Sequence, residues 1–287
     1  MAGALASIAI GRSGVPVFTC REAALPPWLG ESDRFVLTSY SGETGEAIAM
    51  LREAIARGIS TRVIASGGTI LSLCREAAIP FFPVPEGLAP RASLPWLLAG
   101  VLRAAGGVEE WEISEASAVL RTEINGCRAD RDPVSIAGKL AGRLVCLLPF
   151  GGAMETVAIR WRNQFLENAK QGSFVSPLPE MAHNEVMGWS WLREASIPLS
   201  FVVLVEQWPL PEPWGRLIAA LQDEAVRDGF PVHLIPPAPG RGLGALLAQV
   251  LLGDRISVEL SDRRRVDATP VPAIHRLRSA FGKEQRQ

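Results

Sequence analysis

Short apolar runs alternate with amphipathic stretches along the first third of this chain. The predicted strands are the apolar runs at residues 35–37, 62–65 and 81–84. The predicted helices have apolar positions at helical spacing and cover residues 45–57, 69–77 and 94–105. This order of strand, helix and strand predicts right-handed β-α-β units and a mostly parallel sheet.

The same alternation resumes after a charged and mixed segment near the middle of the chain. The predicted strands of the second half are 144–148, 201–205 and 232–235. The predicted helices are 155–170, 214–227, 244–252 and 272–281. The pattern therefore predicts an α/β protein of two domains, each a mostly parallel sheet flanked by helices. We place the first domain at 1–112, a connection at 113–135 and the second domain at 136–287.

Composition and charge exclude several classes of protein. The chain has 287 residues, of which 48% are apolar and 21% charged, as expected of about two globular domains. A net charge of −1 argues against nucleic-acid binding through bulk positive charge. No apolar run reaches the roughly 18 residues of a membrane span, and the N-terminus lacks the charge order of a signal peptide. We expect a cytoplasmic protein that binds neither nucleic acid nor membrane.

Cysteine and histidine are too widely spaced for a metal centre. The four cysteines form no C-x-x-C pair, and the three histidines form no H-E-x-x-H motif. A glycine-rich segment at 240–244 has the spacing G-x-G-x-G, which differs from that of a dinucleotide loop. The sequence therefore predicts neither a metal nor an organic cofactor.

The most informative polar segment is T-S-Y-S-G-E-T at 38–44, between a predicted strand and a predicted helix. Ligands of open α/β sheets bind at the carboxyl ends of the strands. Hydroxyl and backbone N–H groups at a helix N-terminus form a phosphate cradle, but the same residues also serve as an ordinary helix cap. Both interpretations remain open on this segment alone. Taken singly, Glu167, His183 and Arg91 are typical of a surface, a capping and a loop residue.

Six short motifs follow one another along the chain: S-Y-S-G-E-T, S-G-G, P-R-A, N-Q-F-L-E-N-A-K, H-N-E and D-A-T-P-V. They begin at residues 39, 66, 90, 163, 183 and 267. Their order resembles that of the bifunctional phosphoglucose/phosphomannose isomerases, a family built from two sugar isomerase (SIS) domains. The resemblance implies isomerisation of a sugar phosphate without a metal or cofactor.

The resemblance also implies catalytic roles for individual residues. Glu167 matches the base that moves a proton between C1 and C2 of the sugar, and Arg91 matches the arginine that faces the enediolate. His183 matches the ring-opening residue, which this family takes from the partner subunit of a homodimer with shared active sites. These residue types fit the reaction, because a carboxylate accepts a proton, a guanidinium stabilises an enediolate and imidazole transfers protons near neutral pH.

Substrate-binding residues are implied in the same way. They are Ser39, Ser41 and Thr44 for the phosphate, Thr269 for tolerance of both C2 epimers, and Arg278, where the family tends to have lysine. The chain also departs from the family at two further places. The first β-α unit of the N-terminal domain is expected to be shortened, and Leu166 replaces a polar neighbour of the base.

The expected function is interconversion of glucose 6-phosphate or mannose 6-phosphate with fructose 6-phosphate through an enediolate. One alternative is a non-catalytic sugar-phosphate-binding protein on the same fold, because a shortened N-terminal unit removes part of the phosphate cradle. A second alternative is an isomerase of an aminated sugar phosphate. The pairing of Glu167 with His183 favours catalysis, because a binding protein has no need of a base.

Overall fold

Two parallel β-sheets organise the chain, one in each of two units. The structure is a computed structural model that describes residues 1–11, 14, 16–126 and 128–284, with side chains for all of these except 278, 279 and 281–284. The first unit comprises Met1–Glu109 together with the C-terminal residues from Ser279. The second unit comprises Glu110–Arg278.

The first unit contains a three-stranded sheet. Its strands, all parallel and in the order β1-β2-β3, are β1 (Arg34–Ser39), β2 (Ser60–Ala65) and β3 (Phe81–Pro83). Its helices are α1 (Ala2–Gly11), α2 (Gly45–Ala56), α3 (Gly68–Glu76) and α4 (Leu94–Ala105). One core lies between the sheet and helices α2 and α3, where Leu51, Val63 and Ile70 are completely buried. The predicted alternation of strands and helices in this part of the chain is confirmed.

The second unit contains a four-stranded sheet. Its strands, all parallel and in the order β5-β4-β6-β7, are β4 (Leu144–Phe150), β5 (Ser173–Val175), β6 (Leu199–Val205) and β7 (Val232–Ile235). The helices that begin in this unit are α5 (Glu110–Asn125), α6 (Pro133–Leu140), α7 (Gly152–Glu167), α8 (Trp189–Glu194), α9 (Trp214–Arg227), α10 (Gly242–Arg264) and α11 (Pro272–Glu284). Every residue of β6 is buried, as expected of a central strand in a parallel sheet.

The segment expected to connect two domains, 113–135, is instead folded into the second unit. It contains most of α5, which packs along α10, and the start of α6. Arg131 within it is completely buried and donates hydrogen bonds to Glu123 (3.1 Å), to Gln249 (2.9 Å) and to the carbonyl of Pro236 (2.6 Å). The charged residues of this segment therefore hold α5 against α10.

Other elements also differ from the prediction, among them α6 and α8, which were not predicted as helices. α10 continues to Arg264, twelve residues beyond the predicted end at 252. The short strand β5 was not among the predicted strands, and α1 occupies a segment ahead of β1 for which no helix was predicted. Among the helices that the structure describes, none is long and apolar enough to cross a membrane.

Candidate functional site

Two loops follow β1 and β2 at the carboxyl edge of the first sheet, and backbone hydrogen bonds join them. The Ser66 N–H and hydroxyl both donate to the Tyr40 carbonyl, at 2.9 and 2.6 Å. The Ile70 N–H donates to the Gly42 carbonyl at 3.1 Å. The structure thus brings the motifs at 39–44 and 66–68 together at the edge where parallel sheets bind ligands.

The close approach of these loops depends on two glycines. Gly42 has a φ of +68°, and a Cβ atom there would lie 1.9 Å from the Gly67 carbonyl oxygen. Gly68 has a φ of +75°, and a Cβ atom there would lie 2.5 Å from the Ser41 carbonyl oxygen. No L-residue side chain fits at either position, which explains the glycines of the two motifs.

The three hydroxyl residues of the first loop lie beside the N-terminus of α2. Thr44 precedes this helix but makes no side-chain capping hydrogen bond. The Ser39 hydroxyl is directed to the Thr44 hydroxyl at 3.4 Å, and the Ser41 hydroxyl accepts the Glu43 N–H at 3.3 Å. Thr44 therefore does not serve as a side-chain cap of α2.

Arg91 follows β3 in a segment that is tied to the same edge. The Tyr40 hydroxyl donates to the Pro85 carbonyl at 3.1 Å and accepts the Leu88 N–H at 2.7 Å. Arg91 then lies half-buried in a 3₁₀ turn, Pro90–Ala92. The completely buried Ser93 closes this turn by donating to the Pro90 carbonyl at 2.7 Å.

Glu43 is a residue of this site to which the sequence analysis assigned no role. Its carboxylate accepts the backbone N–H of Thr69 at 2.7 Å and the Thr69 hydroxyl at 2.9 Å. Glu43 therefore caps the N-terminus of α3 and fastens the first loop to the second. The only sequence feature that pointed to a role for Glu43 was its place in the S-Y-S-G-E-T motif.

Glu167 lies in the second unit, as the last residue of α7. Its side chain is half-buried, and its carbonyl accepts a hydrogen bond from the Lys170 ammonium at 2.8 Å. The same ammonium donates to the carbonyls of Asp267 (2.6 Å) and Ala268 (3.3 Å). Lys170 thus joins the end of α7 to the D-A-T-P-V motif that contains Thr269.

The D-A-T-P-V segment is shaped by a local turn. The Asp267 carboxylate accepts the Thr269 N–H at 2.8 Å. This hydrogen bond, followed by the Thr269 hydroxyl and the Lys170 charge, lowers the pKa of the Asp267 carboxyl below its usual value. Asp267 is therefore an anion that faces a cation, and both side chains direct their polar groups at the backbone around Thr269.

His183 lies at the carboxyl edge of the second sheet, where strands β4 and β5 end. Leu178 extends β5 beside Phe150, the last residue of β4, and the exposed His183 ends a 3₁₀ turn that follows. The end of α7, with Glu167, lies at the opposite edge, where β5 begins. The seven residues of β4 span roughly 20 Å between the two edges. One chain therefore does not bring its own Glu167 and His183 together.

Two further points concern Arg278 and the residues that could hold a metal ion. Arg278 lies on α11, but its side chain is outside the described part of the structure. Among the described residues there is no group of three or more His, Cys, Asp or Glu side chains that could hold a metal ion.

Comparison with known proteins identifies relatives over the whole chain. The model of the bacterial phospho-glucose isomerase C-terminal SIS domain matches residues 129–281, more than half of the chain. A bifunctional phosphoglucose/phosphomannose isomerase of Aquifex aeolicus is 29% identical over 269 residues, covering 93% of this chain and 82% of that protein. A D-glucosamine-6-phosphate 4-epimerase of Sulfolobus acidocaldarius is 23% identical over 288 residues, covering 96% and 88% respectively.

A solved structure shares the fold at low sequence identity. The crystal structure of a hypothetical protein from Thermus thermophilus superposes with a TM-score of 0.76 at 14% identity, covering 100% of this chain and 82% of that one. This likeness shows the fold alone.

Proposed function

The chain belongs to the bifunctional phosphoglucose/phosphomannose isomerase family, and on this premise we propose that it interconverts glucose 6-phosphate and mannose 6-phosphate with fructose 6-phosphate. The observation that carries the proposal is the junction at Lys170, which joins the backbone at Glu167 to the backbone at Asp267 and Ala268, immediately before Thr269. The carboxylate of Glu167 is a suitable base for proton transfer on a bound sugar.

In the proposed reaction Glu167 removes the proton on C2 of an open-chain aldose and leaves an enediolate across C1 and C2. Return of the proton to C1 gives the ketose, and the reverse sequence starts from C1 of fructose 6-phosphate. Arg91 stabilises the negative charge of the enediolate. These residue types supply a base and a counter-charge, so we propose that the reaction is metal-independent.

The phosphate of the substrate is proposed to bind at the first sheet. The backbone N–H groups at the start of α2 lack helical partners, and the hydroxyls of Ser39, Ser41 and Thr44 surround that end of the helix. Such an end attracts a phosphate dianion through both its N–H donors and its dipole. Gly42 and Gly68 allow the two loops at this edge to approach each other closely.

Ring opening is proposed to use His183 of the partner subunit in a homodimer. Glu167 and His183 are separated by the length of strand β4, which supports a shared site, because one chain alone does not bring the pair to a single sugar. Near His183 the side chains of Met187 and Trp191 are 81% and 63% exposed. An apolar surface around a residue that has to enter another subunit's site is consistent with burial in a dimer.

The decisive experiment supplies fructose 6-phosphate and measures formation of each aldose. We expect wild-type turnover to both aldoses, and Glu167→Gln to lower kcat by about 100-fold or more, because the amide accepts no proton. Glu155→Gln, at the exposed first turn of the same helix, serves as the control and should keep full activity.

The same assay separates the alternatives. Binding of fructose 6-phosphate in calorimetry without any turnover would support the non-catalytic sugar-phosphate-binding protein instead. The epimerase relative covers nearly the whole chain, so glucosamine 6-phosphate is the second substrate class to test. Turnover of that compound alone would contradict the proposed substrates but retain the sugar-phosphate class.

A further inference from the structure

Lys170 connects two parts of the chain that are 97 residues apart. Its ammonium binds the Glu167 carbonyl on one side and the Asp267 and Ala268 carbonyls on the other, at 2.8, 2.6 and 3.3 Å. The two backbone segments therefore lie side by side, one carrying Glu167 and the other leading directly into Thr269. None of the roles implied for these two motifs involves Lys170.

The backbone of Lys170 is shaped for this contact. Its φ of +51° lies in the left-handed region, which non-glycine residues rarely adopt. This turn ends the extension of α7 and lets the side chain fold back over the helix C-terminus, where the helix dipole leaves a partial negative charge. The buried Asn168, which donates to Ser257 of α10 at 2.8 Å, fixes the same turn from the other side.

The chemistry of the Lys170 ammonium also fits its contacts with the backbone carbonyls. An ammonium presents three donors from one compact centre, which suits carbonyls that converge from two backbone segments. A planar guanidinium presents its donors as a fork and does not reproduce that arrangement. The Asp267 carboxylate adds a charge interaction with Lys170 and holds the Thr269 N–H at 2.8 Å.

We propose that Lys170 is a positioning residue that sets the placement of Glu167 relative to Thr269 and thereby the ratio in which the two C2 epimers form. This inference rests on the proposed function. Glucose 6-phosphate and mannose 6-phosphate arise from one enediolate by delivery of the proton to opposite faces of C2. A displacement of about 1 Å changes the rate of such a step by up to about 100-fold. The ratio of the two aldoses is therefore sensitive to a contact that fixes the position of Glu167 relative to the segment that contains Thr269.

The test compares Lys170→Met, Lys170→Arg and Lys139→Met. With fructose 6-phosphate as substrate, Lys170→Met is expected to lower kcat about tenfold or more, with little change in KM, and to change the ratio of the two aldose initial rates by about threefold or more. Lys170→Arg should keep thermal stability near that of the wild type and still change the ratio. Lys139→Met removes an exposed lysine of α6 in the same unit and should change none of these quantities.

The outcomes distinguish this inference from the function on which it rests. If the wild type forms both aldoses and folded Lys170→Met keeps the wild-type kcat and ratio, the inference is wrong and the proposed function stands. A lower melting temperature with both aldose rates reduced equally would also contradict it, because that is the behaviour of a purely structural lysine. If Lys170→Met does not fold, an unchanged ratio in Lys170→Arg is the contradicting result. A wild type that forms neither aldose contradicts the proposed function and this inference with it.

Discussion

Glu43 joins two loops of the first unit through one carboxylate. Its two oxygens accept the N–H and the hydroxyl of Thr69, and the contact lies between the Gly42 turn and the start of α3. Hydrogen bonds to a charged acceptor are stronger than neutral ones. The carboxylate therefore stabilises the geometry of the proposed phosphate site while lying outside the set of hydroxyls that would contact the phosphate.

Replacing Glu43 should loosen this site. We expect Glu43→Ala to lower the free energy of unfolding by about 1–2 kcal/mol and to raise the KM for fructose 6-phosphate several-fold, because the two loops lose two of the hydrogen bonds that join them. Glu43→Gln keeps one acceptor and removes the charge, so its KM should be lower than that of the alanine variant. Steady-state kinetics and urea denaturation measure both effects, with Glu46→Gln on the exposed first turn of α2 as the control. A KM for Glu43→Ala equal to that of the wild type would show that the other hydrogen bonds between the two loops are sufficient to keep their geometry.

The sequence predicted the hydroxyls of the proposed phosphate site, but it did not predict the long-range contacts of Glu43 in the first unit or of Lys170 in the second. S-Y-S-G-E-T predicts a ligand-binding turn because small, hydroxyl and glycine residues follow a strand. The partners of Glu43 and Lys170 are Thr69 and the backbone at 267–268, which lie 26 and 97–98 residues away along the chain. A contact at such separation depends on tertiary packing and has no local pattern.

At the scale of elements, α5 depends on a buried ion pair. The Arg131 and Glu123 side chains are 0% and 6% exposed, and Arg131 also binds acceptors on α10 and after β7. The charged composition of this segment predicted a connection between two domains, since charges are normally exposed. In the structure Arg131 and Glu123 instead neutralise each other inside the unit, while Arg121, Arg128 and Asp130 are exposed.

Breaking the pair should cost far more than breaking an exposed one. Arg131→Met leaves the Glu123 carboxylate buried without its cation, and we expect the free energy of unfolding to fall by about 3–5 kcal/mol. Arg128→Ala removes a neighbouring but exposed pair with Asp130 and should cost less than about 1 kcal/mol. Denaturant titrations monitored by circular dichroism compare the two variants. Equal losses would indicate that Arg131 contributes no more than a surface charge.

Glycine explains why the length of α10 was predicted wrongly. The predicted helix ended before Gly253, since glycine often follows the last turn of a helix. In the structure a Cβ atom at Gly253 would lie 2.1 Å from the Trp161 ring, so this glycine allows α7 to approach α10 closely. α10 ends instead at Arg264, and the next residue, Arg265, adopts the left-handed conformation that glycine usually supplies. The sequence pattern alone does not distinguish a glycine that allows two helices to pack closely from a glycine that ends a helix.

At the scale of the whole molecule, the proposed catalytic pair is divided by the sheet of the second unit. Glu167 lies where β5 begins and His183 beyond the end of that strand. The motifs predicted both residues, and the parallel order of the strands fixes their separation. In the proposed two-fold homodimer, each subunit would supply the histidine for the other's site.

Mixing two inactive variants tests that arrangement. In a shared site, Glu167→Gln and His183→Ala subunits restore one active site per heterodimer, with the base from one subunit and the histidine from the other. Random exchange of equal amounts places about half of the subunits in heterodimers, so about a quarter of the wild-type activity should return. Exchange is confirmed independently with differently tagged subunits. Exchange without recovered activity would contradict the shared site, since a site built within one chain gains nothing from mixing. Recovery near one quarter cannot arise from such a site, because every heterodimer would then contain two incomplete sets of residues.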